Sequence, residues 1–443
     1  MLYYMHEFQR LAMAPTRAMA EAMRFVANNP MNALSHTPAG KSMGSAAEVF
    51  LKFTHRYGKP EWGIDSTVID GKAVPVHLEK TIHRTYCDLL HFRRETTRND
   101  PKLLIVAPLS GHFATLLRGT VEAMLPDHDV YITDWIDCKN IPVMSDLFNL
   151  WDYMDYVMDF LHYLGPNAHV IAVCQPSVPV MAAISVMSGW GDICVPDTVT
   201  LMGGPVDTRV GETAVNKLAK EHDQEWFNKN VITTVPPPYP GAFRRVLPGF
   251  VQLSNFMSMN WEKHLLSMNQ LFDHLVQGDD EAAEKKASFY EEYLAVMDLP
   301  AEYFLQTIKV VFQDHALPQG EMPYRWQLVD PGKIKHTAIL CVEGELDDIS
   351  GVGQTKAAHT ITPNVSNARK KYHLQKAVGH YGVFNGGKWR SQIAPVVKGF
   401  IREHWRAPKG SVGVTAPAKT AKAARPGNGA ARAVRSNGAS AKA

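Results

Sequence analysis

From residue 102 the chain alternates short apolar runs with longer stretches of helical spacing. Leu103-Leu104-Ile105-Val106-Ala107 predicts a buried strand, and residues 113–124 predict a helix. A strand over 129–133 and a long helix over 145–164, capped by Ser145, come next. Residues 168–173 and 198–202 read as strands separated by a helix over 178–188. Strands that are apolar throughout and alternate with helices imply a mostly parallel sheet covered on both faces. The rhythm stops near residue 205 and resumes near 335, with strands over 337–342 and 372–375 and a helix over 389–405. Upstream, residues 67–94 are rich in β-formers and alternate in polarity, predicting an opening hairpin or strand pair. Leu2, Met5, Phe8, Leu11, Met19, Met23 and Val26 recur at near-helical spacing, so residues 1–28 predict a helix that packs on its own domain, with Pro15 expected to interrupt or kink it.

The block between the two α/β stretches predicts mostly helix, broken by Pro236-Pro237-Pro238-Tyr239-Pro240-Gly241. Its many large apolar side chains, among them Trp226, Phe243, Phe250, Phe256 and Trp261, suit a cap over the carboxyl edge of the sheet. The expected organisation is an N-terminal helical segment (1–60), a first core part (61–204), an inserted helical cap (205–335), a second core part (336–405) and a tail (406–443). There is no internal repeat.

Composition adds three points. Of 443 residues, 45% are hydrophobic and 20% charged, a globular balance. The net charge of +2 conceals a tail with eight Lys/Arg and no Asp/Glu from Arg406 onward; its Ala, Lys, Pro, Gly and Ser content predicts disorder and a weak attraction to anionic surfaces or nucleic acid. Five scattered cysteines (Cys87, Cys138, Cys174, Cys194, Cys341) without a CxxC pair argue against a disulfide framework or zinc site and fit a reducing cytoplasm. Neither a signal peptide nor an apolar stretch long enough to span a membrane is visible, and no motif points to a metal.

The chemistry starts at Cys174, which directly follows His169-Val170-Ile171-Ala172-Val173 and precedes Gln175-Pro176-Ser177. A strand that ends on a nucleophile and turns at once into a helix is the nucleophile elbow of α/β-hydrolases. The expected fold is therefore an α/β-hydrolase with a mostly parallel sheet and a large inserted cap. Gly344-Glu345-Leu346-Asp347 and then Gly379-His380-Tyr381 supply an acid and a histidine in the order nucleophile, acid, histidine. His380 is the candidate base and Asp347 its orienting carboxylate, with Asp348 as rival. The N–H of Gln175 and one from the Ser110-Gly111-His112-Phe113 loop, at Gly111 or His112, are expected to bind the oxyanion. Phe113 and Trp135 are candidate substrate contacts. Each residue also has a plainer reading: Cys174 as a small buried hydrophobe, Asp347-Asp348 as a helix cap, His112 as a loop support. Only their joint order favours a triad.

Four segments together resemble the intracellular polyhydroxyalkanoate (polyhydroxybutyrate) depolymerases: Val173-Cys174-Gln175-Pro176-Ser177-Val178-Pro179, Pro108-Leu109-Ser110-Gly111-His112-Phe113, Val342-Glu343-Gly344-Glu345-Leu346-Asp347-Asp348-Ile349-Ser350-Gly351 and Gly379-His380-Tyr381-Gly382-Val383-Phe384. The resemblance spans roughly residues 1–405 and excludes the basic tail. It implies a Cys-Asp-His hydrolase acting on amorphous polyester at storage granules in the cytoplasm. It implies no bound cofactor, leaves open water or coenzyme A as acyl acceptor, and is silent on oligomeric state. Polyhydroxyalkanoate synthases are similar; they carry glycines two residues either side of the cysteine, where this chain has Ala172 and Pro176. A synthase-like acyltransferase is thus the nearest alternative, and a non-catalytic granule or nucleoid organiser a more distant one.

Overall fold

A computed structural model describes residues 2–406. The basic tail predicted from residue 406 onward, apart from Arg406 itself, lies outside the described residues. Nine strands form the central sheet: β1 (Ser66–Ile69), β2 (Lys72–His83), β3 (Cys87–Arg94), β4 (Lys102–Val106), β5 (Asp129–Trp135), β6 (Ala168–Val173), β7 (Thr198–Met202), β8 (Ala338–Gly344) and β9 (Lys370–Gln375). Their order across the sheet is β1-β2-β3-β5-β4-β6-β7-β8-β9. β1 to β3 form an antiparallel edge, and β3 pairs antiparallel with β5. The six strands from β5 to β9 are mutually parallel. β4, lying between β5 and β6, reverses the direction in which strands are added, and such switch points open a crevice at the carboxyl edge of the sheet.

Every residue of β6 and β7 is buried, as expected for strands covered on both faces. Helices α1 (Leu2–Asn28), α2 (Pro38–Thr54), α3 (Arg118–Met124), α4 (Leu150–Leu164) and α5 (Ser177–Trp190) precede the inserted block. α5 is apolar all round and buried from Ser177 to Met187, so it runs through the core rather than over it.

Several expectations need correction. α4 starts five residues after Ser145: Asn149 accepts from the N–H groups of Trp151 and Asp152, and Asp152 accepts in return from the Asn149 N–H at 2.9 Å. That reciprocal capping box outcompetes a lone serine. α1 is one helix through Pro15, not two. Proline leaves the carbonyl four residues back without its usual donor; Leu11 is exposed, so water can serve it. Only part of α1 packs: Arg17 bonds the Leu51 carbonyl and Arg24 pairs with Glu48 on α2, while Tyr4, Met5, Phe8, Leu11, Met19 and Phe25 stay exposed.

Residues 205–335 hold helices α6 (Gly249–Met259), α7 (Trp261–Gln277), α8 (Asp280–Leu294) and α9 (Ala301–Thr307), the last continuing as a wider π-helical turn, Ile308–Gln313. They also contain sheet structure that the sequence pattern did not predict. Thr233–Thr234, Arg245–Leu247 and Leu299–Pro300 pair antiparallel. Pieces of two and three residues are too short to show a period of two. Helix α10 (Ala394–His404) closes the described chain.

Candidate active site

β6 delivers Cys174 to the carboxyl edge. Its N–H still donates to the Met202 carbonyl at 2.7 Å, extending the β6–β7 ladder, but its φ is +65°. A left-handed backbone at a residue with a Cβ is costly and persists only where the surroundings enforce it. Here α5 begins at once: the Ser177 N–H donates to the Cys174 carbonyl at 3.0 Å, and Pro176 needs no donor at that position. The turn lifts the sulfur out of the sheet; Cys174 is half-buried while Val173 below it is fully buried. The Gln175 N–H makes no backbone hydrogen bond among the described residues.

Two glycines after β7, which the sequence reading passed over, make room for this corner. A Cβ on Gly204 would sit 1.9 Å from Ser177 Oγ, so the elbow helix can pack there only against glycine. Gly203 has φ +57°, and its Cβ would approach Asp347 Oδ2 to 3.2 Å and the His380 ring to 3.3 Å. Gly-Gly directly beyond an apolar strand was the available signal.

The loop after β8 carries Asp347. Its side chain is completely buried, Oδ1 accepts from the N–H groups of Ile349 (3.0 Å) and Ser350 (2.8 Å), and Oδ2 receives His380 Nδ1 at 2.8 Å. Asp348 points elsewhere, accepting from Asn260 Nδ2 at 2.6 Å and lying 3.7 Å from Lys263 Nζ at the α6–α7 corner. The structure thus brings Asp347, not Asp348, to the histidine. Burial opposes charging of His380, yet the Asp347 carboxylate and the nearby Cys174 sulfur prevail and raise its proton affinity well above the ordinary histidine range. With Nδ1 held by Asp347, Nε2 is the nitrogen left to face the sulfur. Burial pushes the thiols of Cys87, Cys138, Cys194 and Cys341 up.

Cys174 and His380 open onto a cavity of about 170 Å³. Its walls come from the loop after β4 (Leu109, Ser110, His112), α6 (Gln252, Phe256), α9 and its π turn (Tyr303, Thr307, Phe312) and the loop around His380 (Tyr381, Phe384). His112 is buried and its Nε2–H donates to the Tyr293 carbonyl at 3.1 Å; burial lowers its pKa to about 4, so the ring is neutral near pH 7. Gly111, at φ +107°, accepts from the Met297 N–H at 2.7 Å, tying this loop to the inserted block.

Phe113 and Trp135 do not line this cavity, which corrects the expectation that they contact substrate there. Both border a separate cavity beside Asp134. Trp135 is 1% exposed, donates from its indole to the Ala107 carbonyl at 2.8 Å, and stacks on Tyr153. The alternation of β5 turns it into the layer of α4, away from the Cys174 edge. Asp134, its neighbour, pairs with Lys59.

Among the described residues no cluster of three or more His, Cys, Asp or Glu side chains is placed to hold a metal ion. No helix of the described residues is long and apolar enough to cross a membrane.

Comparison with known proteins gives a family match and distant structural likenesses. Solved structures similar to this chain include Rv0554 from Mycobacterium tuberculosis, at 12% identity over 77% of this chain and 99% of that one, with a TM-score of 0.43. Another is a monoacylglycerol lipase from Paleococcus ferrophilus, at 9% identity over 72% and 98%, with a TM-score of 0.40. No curated protein sequence matches the chain. Residues 203–405, which supply Gly203, Asp347, His380 and the inserted block, match the family described as PHB de-polymerase C-terminus. The sheet order and the strand–turn–helix corner at Cys174 are those of an α/β-hydrolase fold, and over residues 203–405 the chain is similar to PHB depolymerases.

Proposed function

We propose that the chain is a carboxylic ester hydrolase that cleaves polyhydroxybutyrate-type storage polyester through an acyl-thioester on Cys174. The observation that carries this reading is the placement of a left-handed Cys174 beside the buried His380–Asp347 pair at the mouth of an apolar cavity.

The steps follow from the groups present. His380 takes the thiol proton, and the sulfur attacks the ester carbonyl. Asp347 keeps the Nδ1–H tautomer and stabilises the imidazolium that forms. The tetrahedral oxyanion is received by the free Gln175 N–H and by a donor of the Gly111–His112 backbone. Collapse of the intermediate breaks the C–O bond, and His380 protonates the departing alkoxide of the shortened chain. Water, deprotonated by His380, then attacks the thioester; the acid leaves, and the sulfur recovers its proton. Coenzyme A in place of water would yield the hydroxyacyl thioester by the same route. The neutral, aromatic-rich cavity suits an uncharged polyester, which it binds by burial.

The exposed apolar side chains of α1 give the protein a means to rest on a hydrophobic granule surface. A row that includes Tyr4, Phe8, Leu11 and Met19 on one face is more than scattered exposure.

The test is release of 3-hydroxybutyrate from amorphous granules by wild type and by Cys174→Ala. The proposal expects no release from the variant while circular dichroism remains unchanged. Undiminished release by Cys174→Ala would exclude it. Growth of polymer with release of coenzyme A from 3-hydroxybutyryl-CoA would instead favour the synthase-like alternative.

A further inference from the structure

The cavity over Cys174 is lined mostly by apolar side chains, and among its polar ones Gln175, Tyr303 and Thr307 stand together. Gln175 is 9% exposed, Tyr303 1% and Thr307 7%, and all three border the cavity. Neither Oε1 nor Nε2 of Gln175 makes a well-formed hydrogen bond, nor does the Tyr303 or the Thr307 hydroxyl, although the Tyr303 hydroxyl lies close to both Gln175 and Thr307. Leaving one such buried group unpaired costs about 1–3 kcal/mol, and contacts within the group cannot use all the donors and acceptors of an amide and two hydroxyls, so the wall keeps bonding capacity for a guest. The three side chains come from two places that the fold brings together: Gln175 from the elbow, and Tyr303 and Thr307 from successive turns of α9. Thr307 is the last residue before the backbone widens into the π turn, a feature frequent at functional sites.

We propose that Gln175, Tyr303 and Thr307 form a subsite for the free 3-hydroxyl of a hydroxyacyl group carried on Cys174. This rests on the ester-hydrolase reading above and names the substrate end it acts upon. A hydroxyl both donates and accepts, and the wall offers both: the Gln175 amide has a donor and an acceptor, and the two hydroxyls can each do either. An ester oxygen within the polymer only accepts and would leave part of the set unpaired. The size agrees. An apolar cavity of about 150 Å³ takes benzene, a group of six heavy atoms. The cavity here, about 170 Å³, therefore suits one 3-hydroxybutyryl unit, also six heavy atoms, rather than two. Together these features assign cleavage to the hydroxyl end of the chain, one unit at a time.

The experiment compares kcat/KM for p-nitrophenyl 3-hydroxybutyrate, p-nitrophenyl 3-acetoxybutyrate and p-nitrophenyl butyrate. Wild type is expected to favour the 3-hydroxy ester over both others by at least about tenfold, since a site built to bond a hydroxyl rejects analogues lacking it. Tyr303→Phe and Thr307→Val are each expected to lower that preference by about tenfold, with near-wild-type melting temperatures. If one variant fails to fold, the other still reads the ratio. Equal rates on the three esters, or a preference unchanged in a folded variant, would overturn the subsite and leave ester hydrolysis standing. Wild-type inactivity on all three would overturn the hydrolase reading itself and the subsite with it.

Discussion

Replacing Asp347 by asparagine separates the geometry of the proposed triad from its chemistry. The change is isosteric, and the side chain is completely buried. Oδ1 accepts two backbone hydrogen bonds, from Ile349 and Ser350, so in Asp347→Asn the amide oxygen is held on that side. The amide nitrogen must then face His380 Nδ1 at about the 2.8 Å where the carboxylate now sits. Two donors cannot bond each other, so the ring switches tautomer, and Nε2–H turns toward the sulfur it should deprotonate. The charge that raises the proton affinity of His380 is lost as well. In a triad of this kind the substitution lowers kcat by about 10⁴, or about 5.4 kcal/mol of barrier. Asp348→Asn removes a partly exposed partner of Asn260 and Lys263 and is expected to change kcat less than about threefold. The assay is initial-rate hydrolysis of a soluble 3-hydroxybutyryl ester, with thermal melts to confirm folding. Asp347→Asn retaining more than a tenth of wild-type kcat, or Asp348→Asn falling as far, would refute the assignment.

Gly203→Ala places a Cβ 3.2 Å from Asp347 Oδ2 on a left-handed backbone, so kcat should fall at least about tenfold with only a modest drop in melting temperature; an unchanged kcat would show that the His380–Asp347 pair has slack. Asp298, buried where it receives the Tyr3 hydroxyl and the Gly249 N–H, has its pKa pushed up to about 7 by burial. The folded state therefore holds this proton more tightly than the unfolded chain, so stability falls as pH rises from about 4 to about 7, by up to about 1.4 kcal/mol per pH unit. Urea melts of wild type and Asp298→Asn across that range should show the dependence only in wild type; parallel curves would contradict it. Phe8→Ser with Leu11→Ser should release the protein from sedimented granules while hydrolysis of a soluble ester stays within twofold, and unchanged sedimentation would remove α1 from granule binding.

The sequence made the scaffold of the site legible because its signals are local. β4, β6, β7 and β8 are short, mostly apolar runs, and Cys174 and Asp347 follow within a few residues of the ends of β6 and β8. Which carboxylate meets His380 was not local: Asp347 and Asp348 are adjacent, and only the turn through Ser350 aims the first inward. The places of Trp135, at the end of β5, and Phe113, in the loop after β4, were not local either, since which cavity each borders depends on the elements packed beside it. The exposed side of α1 was hidden too, because a periodic apolar stripe reads alike whether it packs or faces water. Gln175 precedes Tyr303 by 128 residues and Thr307 by 132, and no spacing joins the elbow to α9.

The most direct measurement is rapid-quench mass spectrometry of the enzyme turning over a 3-hydroxybutyryl ester. The account predicts one 3-hydroxybutyryl adduct on the peptide carrying Cys174, absent from Cys174→Ser digests at that position as a thioester. An adduct on Ser110, Ser177 or any other residue of an active enzyme, with Cys174 unmodified throughout, would contradict it.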